Sequence, residues 1–310
     1  MEKSYKEKAV KKSFWKTRKG QQLLTMGMFL VIPLTLLVVF TYYPFAEMVK
    51  FSFYKMKYST PVDKRVFVGF QNYIDVFKRD DCFGALRLSL YYMVGALIQL
   101  VLALYFATIL SFKAKGGNLF KGLMFFPYLI NGIAIGFIFK FFYTRGFVLD
   151  TVLHVLGASY ENLPYWLKDQ NINNWSLVAT SVWRYFGQNM VLFIGAIMSV
   201  DDTLYEAAAL DGANKPQIFK HIILPSIKTI VTLNVILSIT GSLSSFEQPY
   251  VITNGANGTG TYFVIMNEIA HVSQKVGLAS AMAVVLLLII FVCTILQKLF
   301  FKYVFREAKD

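Results

Sequence analysis

Two sets of residues have types and spacings that could do work. The first is the run EAAALDGANKPQIFKHIILP, from Glu206 to Pro225, a charged, helix-forming stretch between two long apolar runs. The second is a group of polar residues inside apolar runs, where polarity is costly and marks a functional candidate. Ser181, Arg184, Tyr185 and Gln188 recur at i, i+3, i+4 and i+7, one face of a helix. Ser238, Gly241, Ser242 and Ser245 make a second such face. Converging, the two faces would line a midplane cavity whose hydroxyls, amide, guanidinium and phenol bind a polar solute. Serine and glycine at this spacing also serve plain helix packing in membranes. Arg184 needs a partner or water; as an alternative to contacting the solute, it could pair with Glu247 at the far end of the fifth apolar run, as a gate or a structural bridge. Asn131 and Asn189 are further candidates, whereas Trp183 and the many phenylalanines read as lipid- or partner-facing bulk.

Other chemistries find no support. NGANGTG is glycine-rich but lacks the G-K-[ST] ending of a phosphate-binding loop, and reads as a flexible loop. No Ser/His/Asp or paired-carboxylate constellation stands out. The three histidines and two cysteines are scattered and offer neither a metal pattern nor a disulfide framework. The chain therefore reads as no enzyme, with no metal and no cofactor of its own.

The elements that must position these residues follow from composition. Of 310 residues, 56% are hydrophobic and 16% charged, with a mean hydropathy of +0.50; soluble domains carry about 25% charged residues. The apolar residues gather in runs long enough to cross a hydrocarbon core as helices. Six spans are expected, at about 23–43, 88–110, 119–143, 176–200, 227–250 and 277–299, making an all-α membrane protein. Pro33 is expected to kink the first without breaking it. Residues 1–22 form a basic tail, 23–310 the membrane domain, 55–87 a polar outer stretch, and 144–175 an outer loop with a short amphipathic helix.

An even number of spans places both ends on one side. With both ends inside, the inner segments and their flanks hold 18 Lys/Arg and the outer ones 12. The bias favours an N-in, C-in orientation. The net charge of +13 then marks topology and contact with anionic lipid, not a nucleic-acid partner.

This orientation puts residues 201–226 in the cytoplasm. Thr203 and Glu206 have capping-box spacing. Gly212 is placed to end the first helix, and Pro216 suits the first turn of a second. Ala207, Ala208 and Ala209 give a small-faced surface that another surface can approach closely. Two readings stay open from the residues alone: a helix seated in a groove of a soluble partner, or an amphipathic connector on the bilayer.

Glu206-Ala207-Ala208, Gly212, Ile222, Leu224 and Pro225, with Asp211 before the glycine, resemble the EAA loop of permease subunits of bacterial ABC importers. LYEAAALDGA resembles its sugar-importing branch. FVGFQNY, FFPYLI, YWLKD and SFEQPYVITNGANGTGT resemble further family segments in the right order, across nearly the whole chain. The resemblance implies a type I ABC importer permease fold. It implies a coupling helix held by Glu206, closely packed through Ala207 and Ala208, and turned at Gly212. It also implies a second homologous permease, two ATP-binding subunits that use ATP and Mg, an extracellular solute-binding protein and a carbohydrate substrate. Where the family has a carbohydrate site, it lies on the fourth and fifth spans; the family's residue types there are not reproduced in this chain.

Another solute, such as glycerol-phosphate, would give Arg184 a reason to be in the pathway. An ion-coupled secondary transporter would need midplane ionisable pairs, broken helices or internal repeats, and the sequence shows no repeat. Short cytoplasmic tails leave no room for a catalytic or sensory domain.

Overall fold

With no water to satisfy peptide groups inside a bilayer, an apolar run must close its hydrogen bonds within itself, and helix is the outcome. The computed structural model describes residues 18–112 and 116–304. Residues 1–17 of the expected basic tail, 113–115 of the basic turn and 305–310 lie outside them.

α1 (Arg18–Leu37) passes through a π-helical turn, Val38–Tyr42, into α2 (Tyr43–Phe51). Pro33 sits inside α1, and the helix continues past it to Phe51, beyond the expected end at 43. A two-stranded antiparallel hairpin, Tyr54–Lys55 with Val66–Phe67, and α3 (Gln71–Lys78) occupy the polar stretch. α4 (Asp80–Ser111) starts eight residues earlier than expected.

The third expected span is not one helix. α5 (Gly117–Leu129) and α6 (Gly132–Tyr143) meet at 98°. Asn131 causes the restart: its side chain accepts from the Ile133 amide at 2.9 Å and caps α6. α7 (Val148–Val155) is the short helix of the outer loop. Fully buried Asp150 holds that loop by accepting from the Gly146 amide and the Trp166 indole, both at 2.7 Å, with Arg145 3.6 Å away.

α8 (Asn173–Met198), α9 (Asp202–Leu210), α10 (Lys215–Ile218) and α11 (Leu224–Leu243) follow. The fifth expected span stops at Leu243, not 250. The chain turns at 244–246 before a π-helical turn, Pro249–Thr253. NGANGTG is no loose tether. Asn173 and Asn174 donate to the carbonyls of Asn257 and Gly258 at 2.7 and 3.3 Å, and Asn257 donates to Leu167 at 3.2 Å. α12 (Tyr262–Asn267) and α13 (Val276–Val304) complete the fold.

Four of these helical runs are long and apolar enough to cross a membrane, or five with the bent pair counted as one. α8 is long enough but is diluted by its own polar residues. One core cluster joins α4, α8 and α11 through Ala103, Met190, Phe193 and Ile227. A second joins α3, α4, α12 and α13 through Val76, Tyr262 and Met282. The α1–α2 run leaves its apolar surface uncovered, as a lipid-facing helix does.

Close backbone approach sets α5 against α8. A Cβ at Gly187 would strike the Met124 carbonyl, whereas one at Gly195, two turns on, meets nothing within 4 Å. Gly187→Ala is therefore expected to destabilise by at least about 1–3 kcal/mol through overpacking. Gly195→Ala is expected to gain a few tenths to about 1 kcal/mol from helix propensity. Thermal midpoints by fluorescence-detected size exclusion should move in opposite directions.

Candidate functional site

The two polar faces expected from spacing lie on α8 and α11, which pack side by side with α4 behind them. They border one cavity of about 530 Å3, within the range of small-molecule sites, about 300–1,000 Å3. α8 contributes Ser181, Tyr185, Gln188 and Asn189 to its wall. α11 contributes Ser238, Gly241 and Ser242, and the turn after it adds Ser245 and Glu247. Ser245 reaches the wall although the helix carrying the expected face has already ended. Asn131 instead caps α6, and Trp183 lines a separate apolar groove beside Phe139.

The spacing argument missed Tyr92 and Gln99 on α4, Asn234 on α11 and Gln248 beyond it. All four are buried. Gln99 and Asn234 carried a readable signal, since each is an amide in the middle of an apolar run. Gln248 carried none, because only the chain turn brings it inward.

Arg184 is not on the wall itself. It is 9% exposed, its guanidinium pairs with the Glu247 carboxylate, and its Cζ lies 5.0 Å from the centre of the Tyr185 ring. Glu247 is more open, at 45% side-chain exposure. Gly132, the first residue of α6, makes the pair possible: a Cβ there would collide with both Glu247 and Arg184. Three separate segments thus meet at this pair.

The second expected element protrudes from the opposite end of α8 and α11. α9 begins two residues earlier than the capping-box spacing proposed. Asp201, not Thr203, is the cap, accepting from the Thr203 amide at 2.9 Å and its hydroxyl at 2.8 Å. A carboxylate cap also sits well against the positive helix end. These two hydrogen bonds, the amide's first, hold the Asp201 carboxyl below its ordinary value. Glu206 is exposed and takes no part in the cap.

Gly212 ends α9 with φ +72. The Gly212 amide bonds Ala209 at 3.2 Å and the Ala213 amide bonds Ala208 at 2.9 Å, the Schellman pattern. Asn214 and Gln217 then form a reciprocal capping box for α10, with Pro216 in its first turn. Of the motif residues, Ala208 is buried; Ala207, Asp211 and Pro225 are exposed; Ile222 and Leu224 are half-buried. Tyr205 ties α9 to the bundle, packing edge-on against Phe112 at 5.8 Å. Leu210 is left 91% exposed and Leu204 47%.

A polar cavity among apolar helices, with a helix–turn–helix standing off one end, fits a membrane transport subunit. Residues 99–306 match the family described as binding-protein-dependent transport system inner membrane component, and the chain belongs to that family. It is a multi-pass protein of the cell membrane and a transport component, not an enzyme. Among its relatives, the Bacillus subtilis protein named "Probable ABC transporter permease protein YurN" is 31% identical, over 88% of this chain and 94% of its own. The multiple sugar-binding transport system permease protein MsmF of Streptococcus mutans is 28% identical, over 87% and 92%. The arabinooligosaccharides transport system permease protein AraP of Bacillus subtilis is 30% identical, over 74% and 75%.

The fold is shared with a bacterial ABC transporter that imports the acidic polysaccharide alginate, at TM-score 0.75 and 16% identity, over 94% of this chain and 98% of that one. A second structure of an alginate transporter, in complex with an alginate pentasaccharide-bound periplasmic protein, matches at 0.75 and 18%, over 96% and 99%.

Two expectations follow. Removing Glu247 leaves a buried guanidinium, whereas removing Arg184 leaves a carboxylate that water already reaches. Glu247→Gln should therefore destabilise more than Arg184→Gln, and the double variant should recover part of the loss. A double-mutant cycle on thermal stability is expected to return a coupling of about 0.5–3 kcal/mol; additive effects would mean that the pair is idle. For α9, the lowered Asp201 value means that cap strength is present above the unfolded carboxyl's value and fades as pH falls through the folded one. Hydrogen exchange at the Thr203 amide, corrected for intrinsic pH dependence, should lose protection on acidification, and Asp201→Ala should lose it at every pH.

Proposed function

We propose that this chain is one of two permease subunits of an ATP-driven importer that moves an oligosaccharide or glycan delivered by an extracellular binding protein. The observation carrying this reading is the cavity between α8 and α11, lined by hydroxyls, amides and aromatic rings in a chain of this family. Hydroxyl and amide groups exchange hydrogen bonds with sugar hydroxyls in both directions, and aromatic rings offer a face for sugar rings. The sugar-importing relatives MsmF and AraP support the carbohydrate class.

In this reading the membrane is crossed six times, by α1–α2, α4, the bent α5–α6 pair, α8, α10–α11 and α13, with both ends inside. Residues 201–226 then face the cytoplasm. α9 seats in a cleft of an ATP-binding subunit, two copies of which use ATP and Mg. The exposed Leu204, Ala207 and Leu210 form an apolar strip at i, i+3 and i+6, suited to a groove on a soluble partner. Glu206 pairs with a basic group across that interface. Closure of the ATP-binding dimer pushes α9, and α8 and α11, which flank it, carry the motion to the cavity.

The test is ATP hydrolysis by the complex reconstituted with its binding protein and a panel of neutral and acidic oligosaccharides. One sugar class is expected to stimulate hydrolysis. Gly212→Val, which puts a β-branched residue at positive φ, and Glu206→Ala should lower that stimulation by about tenfold with assembly intact. If no ATP-binding subunit associates with the chain, the importer reading fails.

A further inference from the structure

We propose that the cavity is built for an uncharged glycan and discriminates against carboxylated or phosphorylated cargo, with Glu247 as the residue that sets the preference. The inference rests on the transport reading above and adds the charge of the cargo.

Among the described residues that line the cavity, Glu247 is the one with a charged side chain. The rest of its hydrogen-bonding wall is neutral, drawn from serine, tyrosine, asparagine and glutamine side chains. The cation closest to the carboxylate, Arg184, is set back from the wall. Its guanidinium is engaged by Glu247 and covered by the Tyr185 ring. Gly132 closes over the pair so tightly that even a methyl group would collide with both partners. Arg184 is thus held as a counter-ion through Nη1, and its Nε, though unpartnered, is buried away from an entering anion.

What the cavity presents to a ligand is the half-exposed carboxylate. A uronate or phosphate entering this space meets a like charge, and the two repel more strongly beside a low-dielectric protein wall than in bulk water. It finds only neutral donors in return. A neutral sugar hydroxyl donates to Glu247 in a charge-assisted bond and accepts from an amide. Gln188 supplies such an amide: it lies on the wall and is only half-buried. The solute for which a free Arg184 would argue, glycerol-phosphate, is disfavoured on the same ground. The alginate importer that shares the fold handles an acidic polysaccharide, but at 16% identity the likeness extends to the fold and not to the charge of the cargo.

The experiment is equilibrium binding to the assembled importer in nanodiscs, without binding protein, so that the membrane cavity alone discriminates. The probes are radiolabelled maltotriose and arabinotriose against trigalacturonate and glycerol-phosphate. A neutral trisaccharide is expected to bind at least about tenfold more tightly than either anion. Glu247→Gln should narrow that ratio by removing the repulsion and releasing Arg184. Gln188→Lys, which leaves the pair intact, should raise trigalacturonate affinity and keeps the test open if Glu247→Gln fails to assemble. Anions binding as tightly as neutral sugars, or ratios unmoved in assembled variants, would overturn the charge preference alone. Binding of no trisaccharide at all would remove the carbohydrate reading, and this inference with it.

Discussion

Burying a guanidinium between helices requires an anion within reach, because desolvation costs several kcal/mol per ion. In this fold Glu247 can supply that anion only because the chain stops being α-helix after Leu243. The turn at 244–246 swings Glu247 back toward α8, and Gly132 leaves the space in which the two groups meet. Much of the cavity follows from this arrangement. The same turn brings Ser245 and Gln248 to the wall. The restart at Asn131, which makes Gly132 the first residue of α6, bends the third run by 98°.

Irregular backbone at membrane depth is tolerated where protein or a water-filled cavity satisfies its polar groups. Both breaks obey that rule. The Ile133 amide is met by the Asn131 side chain, and the Ser245 carbonyl accepts from the Thr261 hydroxyl at 2.6 Å. Farther out, Asn173 and Asn174 sew the 254–258 loop to the start of α8, and Asn257 ties it to Leu167 in the outer loop before α8. The cavity is therefore framed by hydrogen-bonded turns, while apolar helix packing through Ala103, Gly187 and Phe193 fixes the helices behind it.

The protruding segment at the other end has a different logic. Its stability is local: one carboxylate cap, one Schellman turn at Gly212 and one reciprocal Asn–Gln cap. α9 is tied to the bundle through Tyr205 and Ala208, whereas Ile218, Phe219 and Ile223 after the turn join the core, so α9 can present a regular helix to a partner from an anchored base. Leu210, almost wholly exposed, is an apolar surface left uncovered in the chain by itself.

The sequence by itself determined what depends on short-range pattern. Apolar run length gave the long helices, Gly212 and Pro216 gave the turn and restart, and the 3.6-residue period picked out Ser181, Tyr185, Gln188, Ser238, Gly241 and Ser242, which share one cavity. It misjudged the cap, because Asp201 and Thr203 both have the chemistry and only backbone geometry chooses between them. It also drew the third and fifth runs as unbroken, because hydropathy averages over a window and does not register one capping asparagine or a three-residue turn. The partner of Arg184 was open to suspicion but not to proof. Sixty-three positions separate it from Glu247, and a contact at that separation exists only when a third segment, here the start of α6 at Gly132, leaves room for it.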